Sequence, residues 1–115
     1  MSGRVVVTGG RTYADRDRLY AVLSAVWSRY PGCTLVEGGA LGADRLAREW
    51  ARANAVAVET VVANWATHGK SAGPRRNREM LELPGVRLVV AFPGGRGTAH
   101  AVATAKGLGL KVRHA

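Results

Sequence analysis

The chain has a single cysteine, Cys33, so no internal disulfide can form, and no His or Cys with zinc-ligand spacing accompanies it. Long apolar runs are missing too. The longest mostly apolar stretch, Ala53 to Ala63, is interrupted by Asn54 and Glu59, which excludes a membrane-spanning helix. Met1-Ser2-Gly3-Arg4 leads straight into a short valine run with no apolar signal core behind it. Acidic residues are scarce, eight against seventeen Lys+Arg, giving a formal net charge of +9 over 115 residues. What is present is ordinary globular composition, 47% hydrophobic and 22% charged, which argues against disorder. One compact domain spanning residues 1–115 is expected, soluble and cytoplasmic, without metal or membrane partner.

The charge favours anionic partners: a nucleotide, a phosphorylated metabolite or nucleic acid. Fourteen of the cations are Arg and only Lys70, Lys106 and Lys111 are Lys. Arg grips phosphate in a planar fork, whereas Lys acts as a point charge. Most of the fourteen are nonetheless expected to solvate helix faces, so charge gives a sign and not a partner.

Periodicity organises the chain. Arg4 to Thr8 carries three consecutive valines and ends at Gly9-Gly10, which suits a strand buried on both faces. Asp15 can cap a helix to about Tyr30, with Leu19, Val22, Leu23, Val26, Trp27 and Tyr30 forming one apolar stripe. Thr34 to Glu37 reads as a second strand, and Gly42 to Asn54 as a second helix. Ala57 to Val62 is a third strand and Asn64 to Gly73 an irregular polar connection. Pro74 then opens a third helix. Arg87 to Phe92 is a fourth strand, Thr98 caps a fourth helix to about Lys106, and a last strand lies around Lys111 to Arg113. Strands alternating with helices predict an α/β domain: a doubly wound parallel sheet of about five strands flanked by about four helices.

Three glycine clusters follow three of these strands: Gly9-Gly10, then Gly38-Gly39 with Gly42, then Gly94-Gly95 with Gly97. Strand ends in an open parallel sheet share one rim, where ligands bind at the switch point. Glycine lets backbone amides approach a phosphate, and a helix N-terminus adds about half a positive charge. A single cluster is equally well a steric turn; three on one rim point to an anionic ligand. None fits G-x-G-x-x-G, and the G-x-x-x-x-G-K-[ST] loop is absent, so an ordinary dinucleotide dehydrogenase or P-loop NTPase is not expected.

The segment from Trp65 to Met80 is the most unusual. It carries Lys70 and then Arg75, Arg76 and Arg78 at the start of a helix, where cations oppose the macrodipole. A sequence that accepts this penalty either uses those charges on a ligand or exposes a solvated basic patch.

Gly9-Gly10-Arg11-x-Tyr13, Gly38-Gly39-Ala40-x-Gly42-Ala43-Asp44, the Trp65–Met80 segment and Phe92-Pro93-Gly94-Gly95-Arg96-Gly97-Thr98-Ala99-His100 together resemble the small YspA-like proteins of the SLOG superfamily. These are relatives of the cytokinin-activating LOG enzymes and of the DNA-processing protein DprA. The resemblance implies a Rossmann-like sheet whose glycine loops bind a nucleotide or nucleotide derivative. The enzymes carry P-G-G-x-G-T-x-x-E and an upstream R-K-x-x-M. Here the loop is present from Pro93 to Thr98, and Arg76 and Met80 match, but Asn77 replaces the Lys and the catalytic Glu position holds Ala101. That departure puts LOG-type phosphoribohydrolase activity in doubt while leaving phosphate binding by the loop intact.

The expected ligand contacts are therefore Gly9, Gly10, Arg11, Tyr13, Gly38, Gly39, Gly42, Asp44, Trp65, Lys70, Arg76, Asn77, Gly94, Gly95, Arg96, Gly97 and Thr98. Asp44 is read as a ribose contact, with helix capping as the alternative. Trp65 and Tyr13 border the rim and can stack on a base. Trp27 and Trp50 are assigned to the core or to an oligomer interface. If there is catalysis, its candidates are His100, Asp44 and Arg76. The leading expectation is a sensor or carrier of a nucleotide-like small molecule, needing no cofactor. A nucleotide-cleaving enzyme is the alternative, and a DNA-binding protein ranks third. A homo-oligomer stays open.

Overall fold

The computed structural model describes residues 3–115. Five strands and their helices run in the order β1 (Arg4–Thr8), α1 (Arg16–Arg29), β2 (Thr34–Glu37), α2 (Ala43–Ala53), β3 (Val58–Thr60), α3 (Trp65–His68), a 3-10 turn (Gly69–Ser71), α4 (Ala72–Leu81), β4 (Val86–Ala91), α5 (Arg96–Gly107) and β5 (Val112–His114). The sheet order is β3-β2-β1-β4-β5 and every pairing is parallel. The chain moves outward from β1 through β2 to β3, then returns to the other side of β1 through β4 and β5. This reversal puts the switch point between β1 and β4, the Rossmann-like doubly wound arrangement.

Alternation along the strands divides the core in two. Val5, Val7, Leu35, Leu88, Val90 and Phe92 face α1 and α2, whereas Val6, Val36 and Val89 face Met80, Leu81 and Ala105 of α4 and α5. A strand buried on both faces needs consecutive apolar residues, which explains the valine run in β1. The α1 stripe is buried as its spacing predicts, from Leu19 to Trp27, and the Asp15 side chain accepts from the Arg18 amide at its start.

Several boundaries correct the sequence reading. Asn64 to Gly73 is not irregular: Asn64 accepts from the Thr67 amide and starts α3, and α4 begins at Ala72, with Pro74 inside the first turn. Pro fits there because first-turn amides have no intrahelical acceptor. Thr98 does not cap α5; the helix starts at Arg96 with Gly95 in the cap position and no side-chain cap bond. β3 is shorter than expected, and Val62 is exposed. Trp27 and Trp50 are both buried, their rings 5.1 Å apart, and their indole N–H groups donate to the Cys33 carbonyl and the Ser24 hydroxyl. They belong to the core, so neither is available to an oligomer interface. No described helix is long and apolar enough to cross a membrane.

Candidate functional site

A cavity of about 830 Å³ opens over the carboxyl ends of β1 and β4 at the switch point. Its walls come from four segments: Thr8 to Tyr13 after β1, Ala40 and Asp44 at the start of α2, Trp65 to Met80, and Pro93 to His100 after β4. The volume lies toward the upper end of the roughly 300–1,000 Å³ of small-molecule clefts. Fourteen of the expected contacts line it: Gly9, Gly10, Arg11, Tyr13, Asp44, Trp65, Lys70, Arg76, Asn77, Gly94, Gly95, Arg96, Gly97 and Thr98.

Gly38, Gly39 and Gly42 are not among the lining residues. They are glycine because the protein itself crowds them. A Cβ on Gly38 would collide with the Arg76 guanidinium, and one on Gly42 with the Gly10 carbonyl oxygen and the Arg11 backbone. Gly39 and Gly42 also have positive φ, +75° and +72°. Gly9 and Gly94 are likewise enforced from inside: a Cβ at Gly9 would meet the Ala43 Cβ at 2.5 Å, and one at Gly94 the Gly10 nitrogen at 2.7 Å. The β1 and β4 loops are stitched together by the Gly10 amide donating to the Pro93 carbonyl at 2.9 Å. Gly95 and Gly97 differ. Both line the cavity, yet a Cβ at either would meet nothing within 4 Å.

At the same place the α5 helix begins uncapped. The first intrahelical bond runs from the Ala99 amide to the Gly95 carbonyl at 3.0 Å, and the amides of Arg96, Gly97 and Thr98 make no bond to the described residues. Three backbone donors and the positive end of the dipole thus gather at one wall, beside two glycines that leave room for close approach.

Arg76 is fixed behind them. Its Nη1 donates to the Gly38 carbonyl at 2.6 Å and its Nε to Asn77 Oδ1 at 3.0 Å, while Nη2 has no partner among the described residues. Because Nε can only donate, Asn77 must present its oxygen there, which turns its amide nitrogen to the Gly97 carbonyl at 3.1 Å and to His100 Nδ1 at 3.3 Å. His100 Nδ1 is therefore the unprotonated acceptor, and Nε2–H faces the Thr104 hydroxyl at 3.5 Å. Both ring nitrogens are engaged with the protein. Ala101, where the enzymes carry Glu, is buried in α5.

Among the described residues Asp44 is the only carboxylate on the cavity wall. It is 94% buried by its 6% exposure, and one oxygen, Oδ2, accepts from the amides of Gly38 (3.1 Å) and Ala40 (3.3 Å). Oδ1 has no partner among the described residues and is not sealed from solvent. Burial pushes this carboxyl up to about 6, and the nearby Glu37 charge adds to the rise, against the pull of the two amides and Arg76.

Glu37 is a residue the sequence reading missed. At the end of β2 it is fully buried, and it accepts from the Gly39 amide at 2.7 Å, from Arg48 at 3.1 Å and from the Thr60 hydroxyl. It ties α2 and β3 to the turn that carries Asp44. Its signal in sequence was an acid directly between an apolar strand and Gly-Gly.

Aromatic groups border the mouth. Trp65 is half exposed, with the Arg11 guanidinium 5.7 Å from its ring centre and Gly73 packed against its far edge. Tyr13 leans on Phe92 at 5.3 Å.

A family model described as the YspA, cpYpsA-related SLOG family matches residues 3–68, which include the first two glycine clusters and Trp65. The Gene 61 protein of Mycobacterium phage D29 is 39% identical over 117 residues, covering 95% of this chain and 93% of that protein. Among solved structures, TM1055 aligns with a TM-score of 0.77 at 21% identity, over 97% of this chain and 72% of that one. The C-terminal domain of PF1911 hydrogenase from Pyrococcus furiosus aligns with a TM-score of 0.56 at 20% identity, over 98% and 91% respectively. At these identities the two structures bear on the fold alone.

Proposed function

The chain belongs to the YspA, cpYpsA-related SLOG family, and on that premise we propose that it binds a nucleotide or nucleotide-derived phosphorylated ligand in the switch-point cavity, as a sensor or carrier. One observation carries the reading. The uncapped start of α5 offers three free amides next to Gly95 and Gly97, the two cavity glycines that the fold does not require. A phosphate docked there neutralises the helix end, and Arg76 reaches it with the guanidinium edge that the Gly38 and Asn77 bonds leave free. Oδ1 of Asp44 accepts from a sugar hydroxyl across the cavity. Trp65 supplies an exposed face for a base at the mouth.

The same geometry supports carriage over turnover at the phosphate loop, and Asp44 is the remaining candidate base on the cavity wall. Position 101 has no carboxylate, and His100 is held in one tautomer by Asn77 and Thr104, so neither supplies a free proton acceptor at the phosphate loop. The test is mass spectrometry of what the purified protein releases on denaturation, followed by incubation of that compound with fresh protein. Recovery of an intact nucleotide-type compound is the expected result; recovery as free base and sugar phosphate would make the protein an enzyme. Arg76→Ala should weaken binding of the released compound about tenfold or more, since a charge-assisted hydrogen bond contributes ~1.5–3 kcal/mol. Unchanged affinity in calorimetry would remove Arg76 from the site.

A further inference from the structure

The distribution of ion pairs is uneven. Among the described residues the four salt bridges are Arg4–Glu59, Arg45–Glu49, Arg48–Glu37 and Arg78–Glu82, and none touches the cavity. The cavity wall nevertheless holds four cations, Arg11, Lys70, Arg76 and Arg96, against the single carboxylate of Asp44. They stand at two depths. Arg76 is half-buried and pinned beside the α5 amides, while Arg11, Lys70 and Arg96 are exposed at the mouth. Arg11 is steered there by the Trp65 ring, and neither Lys70 nor Arg96 has a hydrogen-bond or ion-pair partner among the described residues.

One phosphomonoester, with a charge of about −1.5 to −2, is matched by Arg76 and the half charge of the helix end. Three cations at the mouth are then left over. Extending the reading of the site as a phosphate-ligand cavity, we infer that its ligand carries a pyrophosphate, with one phosphoryl group at the α5 amides and Arg76 and the second at the mouth between Arg11, Lys70 and Arg96. The mouth cations come from three separate segments, so they converge only because the fold brings the β1 loop, the 3-10 turn and the β4 loop to one opening. Their charge favours a terminal, more highly charged second phosphate over one bridged to a further sugar.

Base-independent probes test this directly. Inorganic phosphate and inorganic pyrophosphate are titrated into the whole chain at 0.15 M salt, with amide shifts of Arg96 to Thr98 reporting the inner position. Pyrophosphate should bind at least about tenfold tighter than phosphate. The double variant Arg11→Ala with Lys70→Ala should bring that ratio most of the way toward one. Arg29→Ala with Arg52→Ala, which removes two exposed cations away from the cavity, should leave the ratio where it was. A ratio near one with phosphate still shifting the α5 amides overturns the pyrophosphate inference and leaves the phosphate site standing. A ratio that falls equally in both double variants overturns it as well, since general charge then explains the preference. Absence of any shift with either anion overturns the underlying site. ADP set against a sugar-capped ADP separates the two sources: tighter ADP supports the terminal phosphate, and tighter capped ligand a bridged pyrophosphate.

Discussion

Gly42→Ala is expected to destabilise the protein by about 3–5 kcal/mol, whereas Gly97→Ala should leave it as stable as before and strip it of ligand. At Gly42 the backbone has φ +72° and ψ −124°, a region essentially confined to glycine that costs an L residue ~1–3 kcal/mol. The added Cβ also drives into the Gly10 carbonyl oxygen and the Arg11 backbone, which cannot rotate aside as a flexible side chain would. That carbonyl accepts from the amides of Ala43 at 3.1 Å and Tyr13 at 3.2 Å, so any retreat lengthens both bonds, each contributing ~0.5–1.5 kcal/mol. Against a total stability of roughly 5–15 kcal/mol this is a large fraction, and melting should fall by more than about 10 °C.

Gly97 lies in the first turn of α5 with open space around it. Alanine is the better helix former there by about 0.5–1 kcal/mol, so melting should hold or rise slightly. Its methyl group, however, occupies the side from which a phosphate approaches the Arg96, Gly97 and Thr98 amides. Thermal unfolding by circular dichroism and ligand calorimetry on the two variants together read this contrast. A Gly97→Ala protein with native affinity would mean that no ligand sits on the α5 loop. A Gly42→Ala protein with native melting would mean that the β1 and α2 loops are not packed as described.

The same contrast marks what was legible in the residues and what was not. β1 and β2 could be bounded from Arg4–Thr8 and Thr34–Glu37 alone, because each has consecutive apolar residues at its centre, as a strand buried on both faces requires, and each ends at paired glycines. The α1 stripe was equally plain, since six apolar positions at helical spacing admit one face. The glycine clusters located the rim. They did not say which glycines the fold itself enforces and which it leaves unconstrained, because that depends on neighbours distant in sequence: Arg76 against Gly38, the Gly10 carbonyl against Gly42. The Asn77–His100 bond spans 23 residues and the Glu37–Thr60 bond also 23, and nothing local announces either. Asn64 to Gly73 looked like a loop because its helices are short and polar, held by an Asn64 cap and by Trp65 packing on Gly73 rather than by an apolar stripe.

Asp44 carries the second large expectation, in which stability and binding move in opposite directions. Its carboxyl titrates near 6 in the folded chain against 3.8 in the unfolded one, mainly because burial disfavours the charge. Between those values the folded state holds a proton that the unfolded state has released, so stability falls as pH rises through this window. The contribution is complete below about 4 and gone above about 6, opposite in sign to a salt-bridged carboxylate. At neutral pH the chain therefore carries a buried charge that works against folding. Asp44→Asn keeps an oxygen for the Gly38 and Ala40 amides and removes that charge, so the variant should be more stable than the parent at pH 7.5 by about 1–3 kcal/mol. Near pH 4 the two should melt together. Binding should go the other way. The amide nitrogen replaces the free Oδ1, and a sugar hydroxyl loses a charged acceptor worth roughly twice a neutral one. Inorganic phosphate gains from the lost negative charge, so the preference for nucleotide over phosphate should fall severalfold. Melts at the two pH values and paired titrations decide it. A variant less stable at pH 7.5, or a stability difference that does not change with pH, would mean that Asp44 is an ordinary structural carboxylate. Retained stability gain with an unchanged nucleotide preference would instead leave the charge buried for some purpose other than gripping a sugar.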